Sequence, residues 1–173
     1  MTGRGFSIDG ELVEQAEAVV KLLRGLEASV VTAESCTGGL IAAVLSRVPG
    51  VSDTLQGGFV VYTKEQKTRA LGVSATLLDT RGSVNAEVAS QMVLGALERS
   101  PADIALAVTG VVGPDEDEDG NPPGQVYIAV GARQKPPEIQ VRYFADKDPD
   151  KVRHATVEQA LSALYVTLTA EGR

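Results

Sequence analysis

The chain has 173 residues, 43% of them hydrophobic, and a formal net charge of −7. This length suits one domain with a sizeable core, while the negative charge, the 4% aromatic content and the lack of Trp argue against a nucleic-acid-binding surface. The single cysteine excludes an intramolecular disulfide, and no apolar run is long enough for a signal peptide or a membrane span, so we expect a cytoplasmic protein without membrane contact.

The first half of the chain alternates between helical and extended apolar spacing. In chain order we predict a helix capped by Asp9 at 9–27, a buried strand at 28–34, a helix capped by Thr37 at 37–48, a strand at 55–63, a short helix at 64–72 and a helical turn at 74–82.

The second half continues with a helix, a strand, a loop, two strands and a closing helix. The predicted bounds are a helix at 85–100 capped by Asn85, a buried strand at 102–110, a loop at 111–124, strands at 124–130 and 138–145 joined as a hairpin, and a helix at 148–168. The acidic run 115–119 in the loop reads as a solvated segment. The order of elements predicts a three-layer α/β/α sandwich around a mixed, mostly parallel sheet of about five to six strands, in one domain over residues 1–173.

Two loops that follow predicted strands carry candidate chemistry, at the sheet edge where ligands bind in open α/β folds. The segment 34–39 contains two nucleophilic residues, Ser35 and Cys36, and the segment 109–114 contains a Thr-Gly and a Gly-Pro pair. Both offer backbone amides that suit an anion, but neither has Walker A or dinucleotide-binding spacing. The structural alternative is that Thr37 caps a helix and the glycines form tight turns.

A catalytic serine needs a base, and the residues leave several alternatives open. His154 is the only histidine, and Lys64 and Lys67 are candidates because burial disfavours the charged form of a lysine. Cys36 is an alternative nucleophile because a helix N-terminus lowers a thiol pKa, although a buried structural cysteine fits equally well.

The chain resembles the C-terminal domain of the CinA proteins and their single-domain relatives that act as nicotinamide mononucleotide deamidases. The motifs are, in order, AESCTGGLIAAVLSRVPGVS, GGFVVYTKEQKTRALGV, VNAEVASQM and AVTGVVGPDEDEDGNPPGQVYIAV. The resemblance implies hydrolysis of the carboxamide of nicotinamide mononucleotide to nicotinic acid mononucleotide and ammonia, in pyridine-nucleotide salvage. It implies neither a cofactor nor a metal.

With this resemblance we expect Ser35 to be the nucleophile, Lys67 its base, and Tyr62 the residue that orients the lysine or relays its proton. Arg153, which matches an arginine of the family's last helix, is the candidate for the substrate phosphate. The expected substrate-binding residues are Glu34, Cys36, Thr37, Gly38, Gly39, Lys64, Thr109, Gly110, Gly113 and Arg153.

Three positions depart from the family pattern. Lys64 stands where the family usually has Asn, and Val112 replaces a small residue. The stretch 115–124, DEDEDGNPPG, replaces a Gly-rich segment ending in Lys-Pro-x-Gly, so that Asn121 stands where the lysine usually is. These departures leave two alternatives, a non-catalytic nucleotide-binding or interaction module and a serine/lysine hydrolase of another amide. The expected partner is a small-molecule substrate, with neither nucleic acid nor membrane, and the chain is expected to form a homo-oligomer.

Overall fold

The computed structural model describes residues 8–146 and 148–171. The prediction that the N-terminal segment is not a signal peptide concerns residues that lie mostly outside the described ranges. The elements in chain order are α1 (Gly10–Gly25), β1 (Val30–Glu34), α2 (Leu40–Leu45), β2 (Leu55–Val60), α3 (Lys64–Leu71), α4 (Ala75–Arg81), α5 (Ala86–Glu98), β3 (Ile104–Gly110), β4 (Gln125–Ala132), β5 (Glu138–Tyr143) and α6 (Pro149–Glu171), with a short 3-10 turn at Val51–Asp53.

The five strands form one sheet in the order β2-β1-β3-β4-β5. Strand β1 runs parallel to both of its neighbours, whereas β4 is antiparallel to β3 and to β5. The predicted mixed sheet is thus confirmed, with parallel pairing confined to β2, β1 and β3. The carboxyl ends of these three strands meet at one edge of the sheet, which is where the loops that follow β1 and β3 lie side by side.

Helices cover both faces of the sheet, and the residues of β3 show why the two faces differ. Leu106 and Val108 point into the core beneath α1, α2 and α6, while Ala105 and Ala107 belong to the core beneath α3, α4 and α5. Successive residues of a strand point to opposite faces, so one strand supplies large side chains to one layer and small ones to the other. The alanine-lined face lets α5 pack close to the sheet.

Helix α3, which carries two candidate lysines, is held against α5 at a close backbone approach. A Cβ atom added at Gly95 of α5 would collide with the backbone carbonyl of Leu71 at the end of α3. Only glycine permits this approach, and a backbone neighbour cannot move aside as a flexible side chain can. The position of α3, and of Lys67 within it, therefore depends on contacts with α5 that lie far away in sequence.

Most predicted helix starts are confirmed, and one is wrong. Asp9 caps α1 by accepting a hydrogen bond from the Glu11 amide at 2.9 Å, and Asn85 caps α5 by accepting one from the Val88 amide at 2.9 Å. Thr37 does not cap α2, whose N-cap is Gly39 without a side-chain bond. The Glu34 carboxylate accepts hydrogen bonds from the amides at the start of this helix, and the Thr37 hydroxyl itself donates to Glu34. None of the helices in the described part of the chain combines the length and apolarity that crossing a bilayer requires.

Candidate active site

Ser35 lies at the carboxyl end of β1, directly after the last residue of the strand. Its amide donates a hydrogen bond to the Val108 carbonyl of β3 at 3.0 Å, so the serine backbone continues the pairing between the two central strands. The residue is only 7% exposed. The sheet therefore holds the serine rigidly at the edge where a ligand would bind.

Lys67 of α3 supplies an amine to the Ser35 hydroxyl. The distance from Lys67 Nζ to Ser35 Oγ is 2.8 Å, and the same nitrogen donates to the Val61 carbonyl at 3.1 Å. The lysine is 1% exposed, which places it among the most buried large side chains of the protein. Of the two candidate lysines, the structure therefore brings Lys67 to the serine.

The environment of Lys67 favours its neutral form. The pKa of Lys67 is lowered from 10.5 to about 8, chiefly because the buried ammonium loses its hydration; interaction with Cys36 opposes the shift and the positive charge of Lys64 adds to it. An amine with this pKa is partly unprotonated near neutral pH. It can then accept the proton of the serine hydroxyl, as the base of a nucleophilic serine must.

A cavity of about 480 Å³ opens beside the serine. The segment 109–118, which comprises the end of β3 and the loop that follows it, forms much of the wall of this cavity. The other lining residues are Ser35, Cys36, Tyr62, Ser83 and Val84. The Thr-Gly-x-x-Gly-Pro segment predicted to bind substrate thus shares one cavity with the predicted nucleophile. The size falls within the usual range for a small-molecule site.

Glu34 lies inside the protein, where the sequence reasoning expected a substrate contact. Its carboxylate accepts hydrogen bonds from the hydroxyls of Thr32 at 3.0 Å and Thr37 at 2.7 Å. It also accepts bonds from the amides of Gly39, Ile41 and Ala42 at 3.1, 3.0 and 2.8 Å. With 0% exposure, it satisfies the free amides at the start of α2, the task expected of Thr37, and shapes the loop around Ser35 from behind.

The backbone amides of the 34–39 loop divide into engaged and free ones. Gly38 donates its amide to the Ser35 carbonyl at 3.0 Å, and Gly39 donates to Glu34. Across the described residues, the amides of Cys36 and Thr37 donate to no other protein atom. Of these two residues Cys36 lines the cavity beside Ser35 and Thr37 does not, so the Cys36 amide is the candidate donor to a ligand atom next to Ser35.

The Cys36 side chain is a poor nucleophile in this environment. It is 4% exposed, and burial raises the pKa of its thiol to about 12, while the charge of Lys67 only partly offsets the effect. The thiolate is the reactive form of cysteine, so the buried thiol is inert at neutral pH. The structure favours the reading in which Cys36 packs beneath the loop and borders the cavity.

Three predicted residues lie elsewhere or act differently. Arg153 is paired with Asp150 at 2.6 Å and borders a separate cavity of about 330 Å³, and His154 is paired with Asp9 at 3.1 Å on the rim of that same cavity. Tyr62 lines the cavity beside Ser35 with 62% exposure, but within the described residues Lys67 Nζ bonds to Ser35 and Val61 and not to the tyrosine.

Sequence reasoning missed two parts of the cavity wall. Ser83 and Val84 line it, as do the acidic residues 115–118, which were expected to form a solvated loop. Thr109 donates its hydroxyl to the Ser83 carbonyl at 2.8 Å, and this bond draws the turn before α5 to the cavity. The available signal was the position of the acidic run directly after Gly113-Pro114, at the end of a predicted ligand loop.

The chain is similar to a known protein family and to two relatives that are named as hydrolases. The family model described as CinA C-terminal domain matches residues 13–168. The nicotinamide-nucleotide amidohydrolase PncC of Pseudomonas putida is 44% identical over 142 residues, which cover 82% of this chain and 88% of that protein. Its namesake from Escherichia coli K12 is 36% identical over 157 residues, covering 91% of this chain and 94% of the relative.

Longer relatives and solved structures extend the comparison. A CinA-like protein of Chlorobium luteolum is 43% identical over 159 residues, but this chain spans only 37% of its length. The crystal structure of the competence/damage inducible protein CihA from Agrobacterium tumefaciens superposes with a TM-score of 0.88 at 38% identity, covering 95% of this chain and 99% of that one. The chain belongs to the CinA C-terminal domain family.

Proposed function

We propose that the chain hydrolyses the carboxamide of a nicotinamide nucleotide, nicotinamide mononucleotide, to nicotinic acid mononucleotide and ammonia. The observation that carries the proposal is the hydrogen bond of 2.8 Å between Lys67 Nζ and Ser35 Oγ at the edge of a cavity. Two relatives that this chain matches over most of their length bear the name nicotinamide-nucleotide amidohydrolase, which supports the choice of substrate.

In the first half of the reaction, neutral Lys67 takes the proton of the Ser35 hydroxyl while Oγ bonds to the amide carbon. The Val61 carbonyl, an acceptor for Lys67 Nζ, keeps an amine hydrogen directed away from the serine, so that the lone pair faces it. The resulting ammonium then gives its proton to the leaving nitrogen as the C–N bond breaks. Ammonia leaves, and an acyl-enzyme remains on Ser35.

In the second half, water attacks the acyl carbon and Lys67 accepts its proton. The carbon–Oγ bond breaks, Lys67 returns the proton to Ser35, and the carboxylic acid product leaves. In both halves the negative oxygen of the tetrahedral intermediate would accept a hydrogen bond from the free amide of Cys36, which lines the cavity beside Ser35. One such donor contributes about 3 kcal/mol to the barrier reduction.

The other residues around the cavity contact the substrate or support the cavity wall. Tyr62 is exposed at the cavity, where its ring offers a face to the cationic pyridinium ring of the substrate. The segment 109–113 forms a wall whose Thr109 hydroxyl is already bonded to Ser83, so that threonine supports the wall and does not donate to substrate. Glu34 holds the nucleophile loop, and Lys64 belongs to an ion pair outside the serine–lysine dyad.

The test is ammonia release from nicotinamide mononucleotide by the purified chain and by Ser35→Ala. We expect the variant to lose activity by about a thousandfold or more, while the matched change at an exposed serine, Ser52→Ala, has no effect. A second matched pair is Lys67→Met against Lys21→Met, an exposed lysine of α1. Wild-type rates in Ser35→Ala would overturn the nucleophile.

Two findings would instead support the alternatives. Tight binding of the mononucleotide without ammonia release would mark a binding module, and turnover of other amides alone would mark a different substrate.

The single cysteine is a free buried thiol, which suits the reducing cytoplasm where we place the reaction. The homo-oligomer stays a prediction, which solution scattering tests.

A further inference from the structure

Two of the departures from the family pattern meet in space. Lys64, which replaces the usual Asn, donates from Nζ to Asp119 Oδ1 at 2.7 Å, and Glu118 Oε1 lies 3.3 Å from the same nitrogen. The two partners are 55 residues apart in sequence. Lys64 lies one helical turn before Lys67, so the acidic run is tied to the helix that carries the base.

The other oxygen of Asp119 holds a second segment. Asp119 Oδ2 accepts a hydrogen bond from the Ser83 amide at 3.1 Å. A Cβ atom added at Gly82, whose φ is +73°, would lie 2.7 Å from Asp119 Cγ, so the carboxylate sits directly on the turn before α5. Ser83 in turn lines the cavity and accepts the Thr109 hydroxyl. A single carboxylate thus joins three segments around the cavity.

A different residue, Asp117, makes the hydrogen bonds within the acidic loop. Asp117 Oδ1 accepts from the amides of Asp119 at 3.0 Å and Asn121 at 2.8 Å. The Asn121 side chain donates to both Asp117 oxygens, at 3.1 and 2.9 Å. Asn121 stands where the family has lysine. The internal bonds set the shape of the loop, whereas Asp119 sets its place relative to α3 and the Ser83 turn.

We propose that Asp119 is a positioning residue, whose carboxylate anchors the acidic segment 115–119 to Lys64 of α3 and to the Ser83 turn and thereby holds the wall that this segment contributes to the substrate cavity. The proposal rests on the proposed function for its kinetic readout. Ser35 and Lys67 are held independently, by β1 and by the contact of α3 with α5. Releasing the anchor therefore loosens substrate binding more than it slows the chemical step.

The anchor should affect substrate binding and local opening of the loop more than the global stability of the protein. The side chains of Lys64 and Asp119 are 28% and 21% exposed, and pairs with such access to water contribute little to global stability. We therefore expect the anchor to be visible in KM and in local opening of the loop, with a small change in melting temperature.

The variants are Asp119→Ala, which removes both bonds, and Asp119→Asn, which keeps an oxygen for the Ser83 amide but loses the charge facing Lys64. The matched control is Asp53→Ala, which breaks the ion pair with Arg24 at 3.0 Å near the amino end of β2, at the opposite edge of the sheet. Lys64→Ala and the double variant Lys64→Ala/Asp119→Ala complete a mutant cycle.

We expect Asp119→Ala to raise KM about fivefold or more with kcat changed less than about twofold, Asp119→Asn to lie between it and wild type, and the control to match wild type. The KM of the double variant should be no higher than that of Asp119→Ala, because both changes release one anchor; kcat is not compared for variants that lack Lys64, whose charge also acts on Lys67. A KM within twofold of wild type in Asp119→Ala, an equal rise of KM in Asp53→Ala, or additive increases of KM in the double variant would overturn the proposal.

Hydrogen exchange tests the anchor without any turnover. Amides of residues 115–124 and the Ser83 amide, which donates to Asp119, should exchange faster in Asp119→Ala than in wild type or in Asp53→Ala, with the rest of the chain unchanged. Unchanged exchange in this segment would refute the anchor. If wild type releases no ammonia while the exchange difference is present, the proposed function fails and the anchor stands.

Discussion

The pH dependence of the reaction follows from the buried lysine. With a pKa of about 8, about one Lys67 side chain in ten is neutral at pH 7, against about three in ten thousand for a lysine with the ordinary pKa of 10.5. The neutral fraction falls to about one in a hundred at pH 6. In the proposed mechanism only the neutral amine accepts the Ser35 proton, so the lowered pKa would raise the fraction of Lys67 able to act as the base at pH 7 about three hundredfold.

We expect kcat/KM to rise about tenfold per pH unit below pH 8 and to level off above it. The assay is ammonia release from nicotinamide mononucleotide between pH 6 and about 9.5 at constant ionic strength, with substrate well below KM so that the free enzyme is reported. In Lys67→Met the remaining activity should lack this rise. A flat profile, or a rise centred near pH 8 that persists in Lys67→Met, would refute the assignment of Lys67 as the base.

The same pKa shift has a consequence for stability. The pKa of Lys67 is lower in the folded protein than in the unfolded chain, so the unfolded chain binds more protons between about pH 8 and pH 10.5. The contribution of Lys67 to the free energy of unfolding therefore rises with pH across this window. At pH 7 the lysine destabilises the fold by about 3 kcal/mol, since each pKa unit corresponds to about 1.4 kcal/mol.

Replacing Lys67 by Met should therefore stabilise the protein while removing most of the proposed activity. After subtracting about 1 kcal/mol for each hydrogen bond of Lys67, to Ser35 and to Val61, we expect a gain of about 1 kcal/mol in the free energy of unfolding at pH 7. Denaturant unfolding at pH 7 and at pH 10 measures it, and the gain should shrink at the higher pH. A destabilised Lys67→Met variant at pH 7 would mean that the lysine is held for structure.

Two further predictions concern residues around the nucleophile. Glu34→Gln should lower the free energy of unfolding by about 3 kcal/mol, measured by urea denaturation. The carboxylate accepts five hydrogen bonds, and the amide nitrogen of Gln would face some of these donors without accepting from them. The control is the exposed change Glu65→Gln, and equal stability of the two variants would contradict this prediction. Cys36 should resist iodoacetamide at pH 8 in the folded protein, because burial raises its thiol pKa to about 12, and should react within minutes in the unfolded chain. Mass spectrometry measures the alkylation, and fast alkylation of the native chain would show an accessible thiolate instead.

Local patterns carried much of the fold. Apolar spacing predicted α1 and α5 with their caps at Asp9 and Asn85, because a cap acts on amides two or three residues away. The same local reasoning failed at Thr37. There the Glu34 carboxylate, which accepts five hydrogen bonds, takes the place of the predicted cap. Strand β1 is buried along its whole length, so its sequence pattern could not show which way Glu34 points.

The amino-acid sequence alone indicated the loop that carries Ser35, the layered α/β class and the family, because these lie in contiguous motifs and in the periodicity of single segments. Which of the two lysines contacts Ser35 emerged only from the folded structure, since Lys64 and Lys67 share one short helix and differ in the side that faces the core. The folded structure also decided that the acidic run lines the cavity, through contacts between Asp119 and residues 36 or more positions away. Long-range pairing depends on how helices dock on the sheet, and no local pattern encodes that docking.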